Sequence, residues 1–182
     1  MRLIVAITGA SGIIYGVRLL EELKARDVEV HLVVSDAAEK VATAELGEIK
    51  WATLAAHTYK PDELTAPIAS GSFPVDGMVI VPSTMKTIGA LANGYCDDLI
   101  SRAADVQLKE GRGLMIVPRE TPLHAVHLEN MAKLSRMGVT ILPAMPAFYH
   151  RPKRMEDLVD FIVGKMLGQL GIEHELFKRW GS

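Results

Sequence analysis

A chain of 182 residues with a net charge of −2 and a single cysteine is long enough for one α/β domain with a full core, and its balanced charge excludes an electrostatic case for nucleic acid or an anionic membrane. Cys96 alone excludes an internal disulfide and suits a reducing cytosol. Hydrophobic residues make up 49%, yet no stretch approaches the roughly 20 apolar residues of a membrane span; that richness in a small domain suggests surfaces buried by oligomerisation.

The chain opens on Leu3-Ile-Val-Ala-Ile7, whose apolar and mostly β-branched residues predict a strand buried on both faces. The run is too short for the apolar core of a secretory signal. Thr8-Gly9-Ala10-Ser11-Gly12 is a small-residue turn, after which Ile13, Ile14, Val17, Leu19, Leu20 and Leu23 recur at near-helical spacing. A strand, a glycine-bearing turn and a helix start form the unit by which α/β folds offer backbone N–H groups to a phosphate. Gly9 and Gly12 would admit a ligand to the backbone, and Ser11 would add a hydroxyl donor. Gly9-x-x-Gly12-x-x-x-Gly16 departs from the dinucleotide pattern G-x-G-x-x-G, so the turn reads as a nucleotide or phosphate site of another kind, against the alternative of a tight turn that binds nothing.

Val28 to Val34 predicts the second strand, ending at Ser35-Asp36, an N-cap pair for a helix from Ala37 to about Leu46. From Gly47 to Phe73 the pattern is least regular, and Trp51 to Ala56 fits either a short strand or a helical turn. Gly77 to Pro82 reads as a buried strand, with Ser83-Thr84 capping a helix through about Ala92. Asp97 and Asp98 open a helix from Leu99 to Lys109, followed by a strand from Gly113 to Pro118 and a helix to Met137. Val139 to Pro143 is the last strand, and an amphipathic helix covers Met155 to Leu170. Strands alternating with helices predict a parallel sheet covered on both faces, in one domain over residues 1–182.

Three strands end in proline followed by polar residues. Ligands of open parallel sheets sit beyond the carboxyl ends of the strands. Ser83, Thr84, Lys86, Thr87, Arg119 and Glu120 are therefore expected to share one rim with Ser11, a hydroxyl cluster with two cations suited to a phosphate-bearing ligand. His124 and His127 have no third ligand nearby and read as a surface or interface pair, so no metal site is expected. Cys96 reads as inert.

Seven blocks then stand in order: Thr8-Gly-Ala-Ser-Gly12 with Tyr15-Gly16, Ala66-Pro-Ile-Ala-Ser-Gly-Ser72, Arg102-Ala-Ala-Asp-Val-Gln-Leu-Lys-Glu110, Pro118-Arg-Glu-Thr-Pro122, His127-Leu-Glu-Asn-Met131, Phe148-Tyr-His150 and Arg179-Trp-Gly181. On these, from about Leu3 to Gly181, the chain resembles the flavin prenyltransferase (UbiX-type) family, formerly called aromatic-acid decarboxylases. The resemblance implies a Rossmann-like three-layer α/β/α fold with a mostly parallel sheet. It also implies a cytoplasmic, metal-independent homododecamer with active sites at subunit junctions. The implied reaction moves a dimethylallyl group from dimethylallyl monophosphate to N5 and C6 of reduced FMN, giving the prenylated FMN cofactor of UbiD-type decarboxylases.

The same resemblance implies a flavin site at Gly9, Ala10, Ser11, Ser35, Thr84, Met85, Lys86, Thr87 and Arg119. Tyr149 and Lys165 would bind the allyl phosphate, with Lys109 and Glu120 contributed by a neighbouring subunit. Glu45 would lie near flavin N5, Trp180 near the tail, and residues from about 155 would serve both active site and oligomer. Lys165 stands where relatives often carry arginine, and Pro82-Ser-Thr-Met-Lys-Thr87 where many begin Pro-Cys-Ser. Cleaving an allylic C–O bond builds negative charge on phosphate, which Lys109, Lys165 and Tyr149 would stabilise. Trp180 or the reduced flavin would steady the allyl cation. Glu45, Glu120 or the released phosphate would take the ring proton.

Three rivals are weighed against this. A short-chain dehydrogenase needs Tyr-x-x-x-Lys on one helical face, and Pro152 breaks the one instance, Tyr149 to Lys153. The related FMN-dependent cysteine decarboxylases carry an asparagine in a Pro-Ala-Met-Asn loop, where this chain has Pro143-Ala-Met-Pro146. A non-catalytic FMN-binding subunit has no need of a second phosphate site.

Overall fold

The computed structural model of the chain describes residues 1–181; Ser182, the last residue of the predicted domain, lies outside the described residues. The strands are β1 (Arg2–Ile7), β2 (Glu29–Val34), β3 (His57–Tyr59), β4 (Gly77–Ser83), β5 (Gly113–Pro118) and β6 (Thr140–Ile141). They form one sheet in the order β3-β2-β1-β4-β5-β6, with every pairing parallel. The helices are α1 (Ile13–Lys24), α2 (Asp36–Leu46), α3 (Met85–Ala92), α4 (Leu99–Lys109), α5 (Ala125–Arg136) and α6 (Met155–Gln169). None of them is long and apolar enough to cross a membrane.

The alternation of side chains along β1 explains its unbroken apolar run. Leu3, Val5 and Ile7 pack on the face that carries α1, α2 and α6. Ile4 and Ala6 pack on the face that carries α3, α4 and α5. Both faces are buried, so both parities must be apolar. Strand order reverses between β1 and β4, which puts the crevice of the fold at the carboxyl ends of these two strands.

Two stretches differ from the sequence expectation. Trp51–Thr53 is a 3₁₀ turn, and the edge strand β3 follows it at His57–Tyr59, where no strand is predicted. An edge strand pairs on one side only, so its His-Thr-Tyr sequence lacks the apolar signature that marks the inner strands. The last strand is shorter than predicted. Leu142 and Ala144 still donate to Ile116 and Pro118 carbonyls, but Pro143 between them has no N–H to give.

Two glycines of the first turn and helix serve packing. A Cβ on Gly9 would stand 2.5 Å from the Ala37 methyl, and one on Gly16 would stand 2.7 Å from the Val81 carbonyl oxygen. Gly9 therefore makes room for the start of α2. Gly16→Ala sets a methyl against β4 backbone, which cannot rotate away. It is expected to cost about 1–3 kcal/mol, read as a lowered urea midpoint.

Candidate functional site

Thr8 closes the crevice at the strand-order reversal. Its backbone N–H (3.2 Å) and its hydroxyl (2.8 Å) both donate to the Pro82 carbonyl, and the hydroxyl accepts from Thr84 N–H at 2.9 Å. The turns after β1 and β4 are thereby held as one surface. Ser35 joins them from the other side: its N–H donates to the Ile7 carbonyl, and its hydroxyl caps α2 by accepting from Ala38 N–H at 3.1 Å.

Glu45, at the far end of α2, reaches back across this surface. Its carboxylate accepts from Gly12 N–H and Ile13 N–H, each at 3.0 Å, where the positive end of α1 favours an anion. Gly12 is the N-cap of α1 with φ 100°, a left-handed conformation that suits glycine. Burial pushes the Glu45 carboxyl up, but the Ser11 hydroxyl, the two N–H groups and the Arg119 guanidinium outweigh it, so the group lies below the usual carboxylate range. The Gly12 and Ile13 N–H groups thus hold the protein's own carboxylate.

The first turn of α3 offers hydroxyls and a helix start of the kind that suit an anion. Thr84 is its N-cap, accepting from Thr87 N–H at 3.2 Å, and the two hydroxyls lie 3.0 Å apart. Met85, Lys86 and Thr87 form that first turn. Arg119 joins the group from the end of β5: its N–H donates to the Ser83 carbonyl, and its Nε donates to the Ser11 carbonyl at 2.9 Å. The hydroxyls of one helix start and a guanidinium fit a phosphate-bearing ligand such as a flavin nucleotide.

Other members of the expected rim are placed differently. Ser83 is fully buried, so it offers no hydroxyl to a ligand, contrary to expectation. Ala10 is buried beside the exposed Ser11. Lys86 is exposed and stands 3.9 Å from Asp97. Glu120 accepts from Thr121 N–H at 3.0 Å and lines a small cavity of about 90 Å³ with Arg119, Pro143 and Met145.

Tyr149, Lys165 and Trp180 meet elsewhere, in a cavity of about 470 Å³ on α6. The Tyr149 ring stands edge-on to Trp180 at 5.3 Å and to Phe161 at 5.9 Å. His150 stacks on Phe161 at 5.4 Å and reaches the Asp157 carbonyl at 3.3 Å, anchoring the loop that presents Tyr149. Sequence reasoning missed Gly164. A Cβ there would lie 2.6 Å from the rings of His174 and Phe177, so its bare backbone seats the tail on α6. A glycine in the middle of an amphipathic helix was the available signal. Gly164→Ala is expected to lift the tail, so that trypsin cuts after Lys178 or Arg179 about tenfold faster in timed digests.

Lys109 belongs to neither group. It ends α4 beside Glu110, just before β5 begins, and so stands at the amino end of the sheet, opposite the rim. Arg112 nearby donates to the Gly71 and Phe73 carbonyls at that same end. Cys96 donates weakly to the Ser101 carbonyl, and burial pushes its thiol up, which keeps it protonated.

The Flavoprotein family model matches residues 1–167. The flavin prenyltransferase UbiX of Halalkalibacterium halodurans is 52% identical over 98% of this chain and 92% of its own length. The crystal structure of AnUbiX (PadA1) in complex with FMN and dimethylallyl pyrophosphate superposes with a TM-score of 0.97 at 44% identity, over 100% of this chain and 97% of that one. A dodecameric FMN-dependent UbiX-like decarboxylase from Escherichia coli O157:H7 gives a TM-score of 0.97 at 47% identity, with both chains fully covered. The peptidyl-cysteine decarboxylase EpiD, at 20% identity over 80% of this chain and 81% of its own, has a TM-score of 0.61 and shares the fold alone.

Proposed function

The chain belongs to the Flavoprotein family and, within it, to the UbiX-type flavin prenyltransferases, and from this we propose the reaction and the residues that carry it. It is a prenyltransferase whose flavin is FMN. The donor is dimethylallyl monophosphate, the acceptor positions are N5 and C6 of reduced FMN, and the product serves UbiD-type decarboxylases in the cytoplasm. What supports this reading is the presence of two separate groups whose chemistry suits an anion. One is the hydroxyl and guanidinium group at the rim; the other is the aromatic-walled cavity holding Lys165. An FMN carrier requires only the first.

Gly9, Ala10, Ser11 and Ser35 shape the rim, while Thr84 to Thr87 and Arg119 hold the flavin's phosphate. FMN supplies the nucleophilic ring positions when bound. Lys165 and the Tyr149 phenol take the phosphate of the allyl donor, with Lys109 and Glu120, which stand at opposite ends of the sheet, reaching it from different neighbouring subunits. As the C–O bond opens, the two lysines neutralise the charge gathering on the leaving oxygen and the Tyr149 phenol donates a hydrogen bond to it. Trp180 presents an aromatic face to the allyl cation and helps to exclude water. Glu45, held ionised at the start of α1, is the group that accepts a proton.

Assembly as a dodecamer follows from the same membership. It is supported by the exposure of the large apolar side chains of Val126, Leu128, Met145, Phe148 and Met155, which subunit contacts would cover. The direct test mixes the protein anaerobically with reduced FMN and dimethylallyl monophosphate, then weighs the extracted flavin. A gain of one C5H8 unit that requires protein establishes the reaction. Unmodified FMN bound tightly, in this mixture and again with the diphosphate donor, overturns it in favour of a carrier.

A further inference from the structure

We propose that Glu29, His31 and His57 form a second site, remote from the rim, that binds a divalent transition metal of the zinc type at the edge of the sheet. The register of the two outer strands creates it. His31 on β2 is paired directly with His57 on β3, so their side chains share one face of the sheet, and Glu29 lies two residues before His31 on that same face. The imidazoles stack with centroids 4.6 Å apart. His31 Nε2 stands 3.1 Å and His57 Nε2 3.9 Å from one Glu29 oxygen, and the potential donor atoms of the three residues all lie within 4.8 Å of one another. Donors around tetrahedral zinc, with bonds of about 2.0–2.2 Å, stand on the order of 3.3 Å apart. Only His57, whose side chain is 53% exposed, has to turn inward to complete the set.

The surroundings resemble those of a built site. His31 is nearly fully buried, and its other ring nitrogen lies 2.8 Å from the Tyr59 hydroxyl, the kind of outer contact that fixes a ligating imidazole's orientation and tautomer. Without metal, His31 Nε2–H donates to Glu29 and Nδ1 accepts from Tyr59. When metal binds Nε2, the proton moves to Nδ1 and the Tyr59 oxygen accepts it, so His31 stays neutral and the exchange balances. Phe73 packs edge-on against His31 at 5.1 Å and closes the apolar side. Arg2 Nε donates at 2.8 Å to the same Glu29 oxygen that faces the imidazoles, so a bound ion would be met by the other carboxylate oxygen once the group turns about its last bond. Two imidazoles and one carboxylate select zinc, cobalt or nickel over magnesium or calcium. The open side at His57 leaves the fourth position to water. The ion would tie the three-residue edge strand to β2.

The test uses tag-free, full-length protein dialysed against chelator, then titrated calorimetrically with Zn²⁺ alone and followed in the visible spectrum with Co²⁺. Saturable binding of one ion per chain with tetrahedral Co²⁺ bands is expected. His57→Ala should weaken it at least about tenfold and Tyr59→Phe by a similar or smaller factor. His124→Ala should leave it unchanged, and His57→Ala should prenylate flavin at the parent rate. Should His57→Ala fail to fold, Glu29→Gln gives the same readout. The proposal is overturned by the absence of saturable binding, by undiminished affinity in His57→Ala, or by loss of binding in His124→Ala.

Discussion

Lys165→Ala is expected to lower kcat/KM for dimethylallyl monophosphate by about 100- to 1,000-fold in an anaerobic assay of flavin prenylation. Lys165 lines the α6 cavity with Tyr149, His174, Arg179 and Trp180, and it is the cation that the helix itself places against a departing phosphate there. Affinity for FMN should not change, because the rim residues proposed for the flavin do not line that cavity. Lys165→Arg, which restores a cation and adds a planar fork, should recover most of the rate. A Lys165→Ala enzyme within threefold of the parent would remove this residue from the phosphate site.

Glu45→Gln should reduce kcat about 100-fold or more while FMN still binds. The amide oxygen can still accept from Gly12 and Ile13 N–H, so the substitution separates proton acceptance from helix capping. Glu45→Ala loses both. The pH dependence follows from the lowered carboxyl. A depressed group contributes stability above its unfolded value, near about 4.3, and loses that contribution as pH falls through the folded one. The tie between α2 and α1 is therefore complete at neutral pH. Glu45→Ala should melt below the parent at pH 7, with the difference closing below about pH 4 in paired thermal scans. Unchanged prenylation by Glu45→Gln would reduce this residue to a cap.

Strong local signals made most of the fold readable in the sequence. β1, β4 and β5 carry continuous apolar runs, β2 alternates before turning apolar, and Asp98 begins α4 with a capping box to Ser101. Arg119 and Thr84 could be assigned to one rim because parallel strands end on one side of a sheet. β3 was invisible: three polar residues at an edge carry no periodicity. The role of Glu45 at the α1 start was equally hidden, since a carboxylate 33 residues from its N–H partner in sequence leaves no local trace. The packing role of Gly9 was hidden for a related reason. A glycine that makes room for Ala37 looks the same in sequence as one that makes room for a ligand.

The position of Lys109 has a genetic consequence. Lys109 stands at the amino end of the sheet and Arg119 at the carboxyl end, so a working site that needs both draws them from different chains. Two inactive alleles, Lys109→Ala and Arg119→Ala, would then complement each other when co-expressed. Random mixing of equal amounts leaves on the order of one quarter of the sites with both residues intact. Neither defect would behave as a property of one polypeptide, because the unit on which selection acts at this site is the junction between chains.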